Sequence, residues 1–216
     1  MGRRGFEGRG RVRLLLVRHG QTEGNVRRAL DTALPGPPLT ELGREQAAAL
    51  AEQLKAEPIV AVYASEAVRA QQTAAPLAEA FGFDVQVIEG VKEVDAGDLE
   101  GNTDLDSIGV YLRVVKAWTE GDLDVSIPGG ETGRQVRDRM LGAAAELRAK
   151  HEETSPDGVV VLVSHGGAIR LAGEWLASNV PAELANEALI PNTKFVELEA
   201  RPGGWECLRW VDTRLS

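Results

Sequence analysis

The chain has 216 residues, 43% of them hydrophobic and 26% charged, with a formal net charge of -9. These figures suit one soluble domain of ordinary size and exclude a general nucleic-acid binder, which needs clustered cations to neutralise phosphates. The lone Cys207 excludes an intrachain disulfide and suits a reducing compartment, and no apolar run approaches the roughly 20 residues that cross a bilayer.

Residues 1–11 are basic and glycine-rich, lack the apolar stretch of a secretion signal, and read as a flexible leader. A single domain over 12–216 is expected to follow it, in a cytoplasmic protein. Leu14–Val17 is a purely apolar run, as in a strand buried on both faces of a parallel sheet. Arg18, His19 and Gly20 follow at once. They place a permanent cation and a titratable ring at the carboxyl end of a strand, the edge where open α/β sheets bind ligands. Gln21–Pro38 is loop-like and long enough to be functional.

Thr40–Glu57 predicts a helix capped by Thr40 and broken by Pro58. Ile59–Tyr63 predicts a strand, Glu66–Phe81 a helix ended by Gly82, and Asp84–Ile88 a third strand. An acidic loop over 90–103 precedes a helix at Val110–Thr119, and residues 102–130 read as a lid-like insertion. The IPGG turn at 127–130 leads into a long helix over Glu131–His151. Glu131 reads as a first-turn carboxylate, and His151 as a solvated residue at a helix end. Gly158–Val163 is the next buried strand, with Ser164, His165, Gly166 and Gly167 at its end and a helix over Ala168–Asn179 behind them. Lys194–Leu198 and Trp205–Val211 predict an antiparallel hairpin turned at Gly203–Gly204. The alternation of strands and helices predicts a three-layer α/β/α domain: a mostly parallel central sheet, an antiparallel edge, and helices on both faces.

In such a sheet the strand ends share one edge. Arg18, His19, Ser65, Arg69, His165 and a carboxylate of the 89–100 loop are then expected to converge. A neutral imidazole is a competent nucleophile toward phosphorus. Arginines and a second histidine suit the charged oxygens of a transferring phosphoryl group, and Gly166 can offer a backbone N–H at a helix start. A carboxyl group would protonate the leaving oxygen and later deprotonate water. This chemistry requires no metal or cofactor, and no carboxylate–histidine cluster has metal-ligand spacing.

The segments RHGQTEGN (18–25), LTELGREQA (39–47), SEAVRAQQTA (65–74), EVDAGDLEG (93–101) and SHGGAIR (164–170) resemble, in order and spacing, the signature of the histidine phosphatase superfamily, the phosphoglycerate mutase-like family. The resemblance spans nearly the whole chain from residue 14. It implies that His19 is the nucleophile that becomes phosphohistidine. It also implies that Arg18, Arg69 and His165 complete the phosphate pocket and that Glu93 is the proton donor. Asn25 and the backbone of Gly166 are implied phosphate contacts, and Gln21 and Thr22 are further substrate-side candidates. The chain departs from the family at Gly24 and Leu99, where an aromatic residue is common.

The resulting expectation is a metal-independent phosphatase acting on a small phosphorylated metabolite and releasing inorganic phosphate. Neither a nucleic-acid nor a membrane partner is expected, and the sequence does not decide between monomer and homodimer. The alternative within the same chemistry is a cofactor-dependent phosphoglycerate mutase, an isomerase. Residues 102–126 hold Arg113 and Lys116 against Asp104, Asp106, Glu120, Asp122 and Asp124, a poor clamp for a bisphosphorylated ligand. A catalytically inactive scaffold that binds phospho-ligands is the third reading.

Overall fold

The computed structural model describes residues 11–181, 184–185 and 190–215. All but the last residue of the expected leader lies outside them. Seven strands form one sheet in the order β3-β2-β4-β1-β5-β6-β7. Strand β1 (Arg13–Arg18) is central, with β4 (Val159–Ser164) parallel on one side and β5 (Phe195–Arg201) antiparallel on the other. Beyond β4 lie β2 (Ile59–Ala64) and the two-residue β3 (Gln86–Val87), both parallel. Beyond β5 lie β6 (Gly204–Trp210) and β7 (Thr213–Arg214), both antiparallel.

The predicted three-layer architecture is therefore present, with three antiparallel strands where the sequence suggested a pair. The third strand predicted over Asp84–Ile88 shrinks to β3, whose two residues are exposed and offer little apolar surface to extend the sheet.

Alternation along the strands sends side chains to two cores. Leu15, Val17, Val161 and Val163 pack with Leu50, Leu54, Ala70, Ala74 and Leu77 on one face. These residues come from α2 (Glu41–Leu54) and α3 (Val68–Phe81). Leu14, Leu16, Val160 and Leu162 pack on the other face with Tyr111, Trp118, Met140 and Leu171. Those come from α4 (Leu105–Thr119), α5 (Gly133–Thr154) and α6 (Gly166–Leu176). Within the 21–38 loop, Thr22 caps a short helix, α1 (Glu23–Arg27).

The helix starts shift for capping reasons. Asp104 accepts from Ser107 N–H, so α4 begins earlier than its apolar face suggests. Thr132 forms a capping box with Gln135, so Glu131 lies outside α5 rather than in its first turn. His151 is also not on the surface. It is 4% exposed, because β2 alternation points Tyr63 at it, and the two side chains meet at 3.0 Å. Lys150 Nζ donates to Tyr63 Oη at 2.8 Å, leaving the phenol proton for His151 Nε2.

Candidate active site

Strand register assembles the site. Arg18 lies opposite Ser164 in the β1–β4 ladder, and Ala64 opposite Val163 in the β2–β4 ladder. The pairing continues one residue further, through His19 N–H to Ser164 O and Ser65 N–H to Val163 O, each at 3.0 Å. His19, Ser65 and His165 consequently leave three adjacent strands at one level, and the two imidazole centroids are 5.2 Å apart. Arg69 comes from the first turn of α3 and is 2% exposed.

His19 is 4% exposed. Its Nδ1 faces the carbonyl of Gly20 at 2.7 Å. A carbonyl only accepts, so Nδ1 carries the proton and Nε2 the lone pair. Burial, then the positive charge of Arg69, pushes the pKa of His19 down to about 3, with Arg18 adding to the effect. The ring is thus uncharged, with its lone pair fixed on Nε2.

His165 is fully buried, and its pKa is likewise held low by burial and then by His19 and the cations around it. Its Nε2 meets Ser65 Oγ at 2.7 Å. Among the described residues Nε2 is the one acceptor that the buried hydroxyl's proton meets, its other contact being the donor Ala67 N–H at 3.4 Å, so Ser65 donates to Nε2 and the ring proton sits on Nδ1.

The site holds three buried donors that find no partner among the described residues: Arg18 Nε, Arg69 Nη1 and His165 Nδ1. Desolvation lowers the pKa of both arginines, and Arg18 and Arg69 are close enough to couple. Orphan buried donors are rare because each costs about 1–3 kcal/mol. Each guanidinium is held by one backbone carbonyl, Arg18 by Ile190 O at 2.6 Å and Arg69 by Asp31 O at 3.3 Å, and the N–H groups left over, with the imidazole N–H, are what a multiply charged oxyanion would satisfy.

Of the five carboxylates in the acidic loop, Glu93 acts electrostatically on both Arg18 and Arg69, and Glu100 on Arg69 alone. Its Oε1 accepts from Val94 N–H and Ala168 N–H, each at 2.9 Å, and its Oε2 from Gly167 N–H at 3.1 Å. Oε2 thus accepts one bond and Oε1 two. The other four carboxylates are held by other partners. Glu100 accepts from Thr32 and Ala33, Asp95 from Gly97 N–H, Asp98 lies against Gly129, and Glu89 lines an outer groove beside β3.

The remaining residues singled out in the sequence are also placed. A methyl group on Gly166 would sit 3.2 Å from Arg18 Nε, so its backbone borders the anion pocket. Asn25 Oδ1 accepts from Thr22 N–H at 3.1 Å and from Asn192 Nδ2 at 3.2 Å. Thr22 Oγ1 accepts from Asn25 N–H at 3.3 Å. Gln21 Oε1 accepts from Thr40 Oγ1 at 3.0 Å, tying it to the start of α2. Thr22 and Gln21 thus have their oxygens engaged in holding the loop.

Sequence reasoning missed Asn192, which donates to His19 O at 2.8 Å from a loop brought beside β1 by the antiparallel β5. It also missed Arg139, whose guanidinium donates to the carbonyls of Gly90 at 2.9 Å, Lys92 at 2.8 Å and Glu93 at 3.1 Å. Arg139 also pairs with Glu131 at 2.8 Å. No local signal marks either residue, since their partners lie far away in sequence. Among the described residues no group of three or more His, Cys, Asp or Glu could hold a metal ion.

An α/β sheet edge carrying a neutral buried imidazole among unpaired cationic donors defines a phosphoryl-handling protein. The chain belongs to the histidine phosphatase superfamily (branch 1), whose pattern it matches over residues 14–213. It is 36% identical over 210 residues to the glucosyl-3-phosphoglycerate phosphatase of Mycobacterium tuberculosis, covering 92% of this chain and 91% of that one. It is also 36% identical over 208 residues to the PE-PGRS family protein PE_PGRS11 of that organism. That match takes in 90% of this chain but 35% of the relative, so the chain spans about a third of that longer protein. A probable phosphoglycerate mutase of Cronobacter sakazakii is 29% identical over 204 residues, covering 93% of this chain and 90% of that one. The solved structure of mycobacterial glucosyl-3-phosphoglycerate phosphatase with VO3 superimposes with a TM-score of 0.79 at 32% identity, covering 94% of this chain and 100% of that one.

Proposed function

We propose that the chain is a phosphatase that hydrolyses a small phosphorylated metabolite through a phosphohistidine on His19. The observation that carries this reading is the fixed tautomer of His19 beside three unpaired donors. Arg18, Arg69 and His165 hold the phosphoryl oxygens, joined by Asn25 and the backbone of Gly166. His19 Nε2 attacks phosphorus, the P–O ester bond breaks, and Glu93 Oε2 gives its proton to the leaving alkoxide. The Glu93 carboxylate then takes a proton from water as that water attacks phosphorus. The P–N bond breaks and inorganic phosphate leaves.

Gln21 and Thr22 act indirectly in this scheme, by shaping the loop that carries Asn25. We place the 102–130 segment, which includes α4, as the cover that limits substrate size. The relatives' names support a phosphatase. Hydrolysis of glucosyl-3-phosphoglycerate belongs to the relative, and for this chain we propose only the class of small phosphomonoesters. No helix of the described residues is long and apolar enough to cross a membrane. The single buried thiol, Cys207, supports a cytoplasmic setting.

A mutase must keep water from the phosphoenzyme and hold a bisphosphorylated ligand. The acidic balance of residues 102–126 favours hydrolysis over that reaction. Release of phosphate from p-nitrophenyl phosphate tests the reading. The wild type turns it over, and His19→Ala lowers kcat by at least about a thousandfold with an unchanged melting temperature. An inactive wild type, or a His19→Ala variant of equal rate, would overturn it.

A further inference from the structure

Tyr111 brings a phenol beside the Glu93 carboxylate, and the mechanism makes no use of it. The residue is 9% exposed and lies on the buried face of α4 with Val115 and Trp118. Trp118 fixes that face. Its indole N–H donates to Val125 O at 2.8 Å, and a methyl group on Gly133 would overlap its ring. Tyr111, two turns earlier on the same face, reaches the start of α6.

Gly167 locates the hydroxyl. A methyl group at that position would lie 2.8 Å from Glu93 Oε1 and 3.4 Å from Tyr111 Oη. The carboxylate and the phenol thus flank one point at the N-terminus of α6, next to Gly166, whose backbone borders the Arg18 guanidinium. They do not bond each other, since the donors to Glu93 are the backbone N–H groups of Val94, Gly167 and Ala168. Among the described residues Tyr111 Oη makes no hydrogen bond. A buried tyrosine hydroxyl normally has a partner, so this one is left for a group that enters with the reaction. Burial, then the negative charge of Glu93, holds the phenol pKa well above its ordinary value, so the group stays an O–H donor.

The group that enters beside Glu93 in the second half of the reaction is water. We propose that Tyr111 is a further catalytic residue, donating a hydrogen bond to the water that attacks the phosphohistidine. This deepens the phosphatase reading and rests on it. In the step, the water oxygen bonds to phosphorus while one of its protons passes to the Glu93 carboxylate. The P–N bond breaks and its electron pair returns to His19 Nε2. The phenol keeps its proton and engages one lone pair of the water, so the other aims at phosphorus.

The test reads the decay of the phosphoenzyme. Radiolabelled p-nitrophenyl phosphate loads the enzyme, unlabelled ester chases it, and alkaline quenches follow the label on the protein. Tyr111→Phe keeps the ring and removes the donor, and is expected to slow the decay about tenfold, as the loss of one hydrogen bond does. The same substitution in a Glu93→Gln background separates contact with water from support of the carboxylate. Contact predicts a further slowing of about tenfold there as well. The melting temperature of Tyr111→Phe is expected to match the wild type, because the lost hydroxyl has no partner in the fold. Decay within about twofold of wild type, an effect that disappears once Glu93 is replaced, or a melting temperature lowered by several degrees would each overturn the proposal. A folded wild type that carries no label at any quench time would overturn the phosphohistidine reading itself, and this inference with it.

Discussion

At the scale of single residues, the account turns on protons. His19 has one tautomer because its Nδ1 faces a carbonyl. Glu93 has one oxygen with a single backbone donor. If Glu93 Oε2 supplies the leaving-group proton, Glu93→Gln slows esters of poor leaving groups most. The variant is expected to lose about a hundredfold in kcat on an alkyl phosphate and less than about tenfold on p-nitrophenyl phosphate, whose leaving group needs little protonation. A kinetic comparison of the two esters checks this, and equal losses would point to another acid.

Many of these residues were legible in the sequence because each follows an apolar run directly. Arg18, His19 and His165 sit where a buried strand must end, and Arg69 one turn beyond the Ser65 strand end. His151 was misread because Lys150, Glu152 and Glu153 make its neighbourhood look solvated. Its burial comes from Tyr63, 88 positions away.

At the scale of elements, strand register and one clamp set the site. The ladders of β2, β4 and β1 bring three side chains to one level. The acid loop has no ladder, and Arg139 on α5 substitutes for one by gripping three of its carbonyls while Glu131 grips the guanidinium. Glu131 also accepts from Asp95 N–H at 3.1 Å, so the pair spans both sides of Glu93.

Arg139→Lys keeps the charge but offers a point donor in place of a planar fork. It is expected to lower the melting temperature by several degrees and to reduce kcat on alkyl phosphates about tenfold more than on aryl phosphates, because Glu93 loses its placement. A loss of stability with an unchanged leaving-group dependence would reduce Arg139 to a structural role. The sequence revealed the helix and the turn before it. It did not reveal the clamp, because Arg139 lies 46 positions from Glu93 and Glu131 falls just outside the α5 cap.

At the scale of the whole molecule, the sheet divides two apolar cores and carries charge on its edge. The purely apolar runs of β1 and β4, set among alternating strands and helices, made the layers readable in the sequence. The antiparallel extension was less readable, because β7 has two exposed residues with no apolar pattern.

Burying an uncharged His19 also couples the fold to pH. The unfolded chain binds a proton near the ordinary histidine pKa of 6.5, whereas the folded ring binds it only near about 3. The unfolded state thus holds more protons between these values, and stability falls as pH drops through that window. For His19 the loss is about 2 kcal/mol between pH 6.5 and pH 5. Denaturant unfolding across that range should show His19→Gln losing less stability than the wild type, and identical pH slopes would contradict the lowered pKa.

The central claim is that phosphorus bonds to the imidazole of residue 19 during turnover. The direct measurement is an alkaline quench during hydrolysis of a phosphate ester, followed by peptide mass spectrometry. The account predicts an acid-labile phosphoryl group on the peptide containing His19, absent from His19→Ala. Steady turnover with no such adduct at any quench time, or with the phosphoryl group on His165 instead, would contradict it.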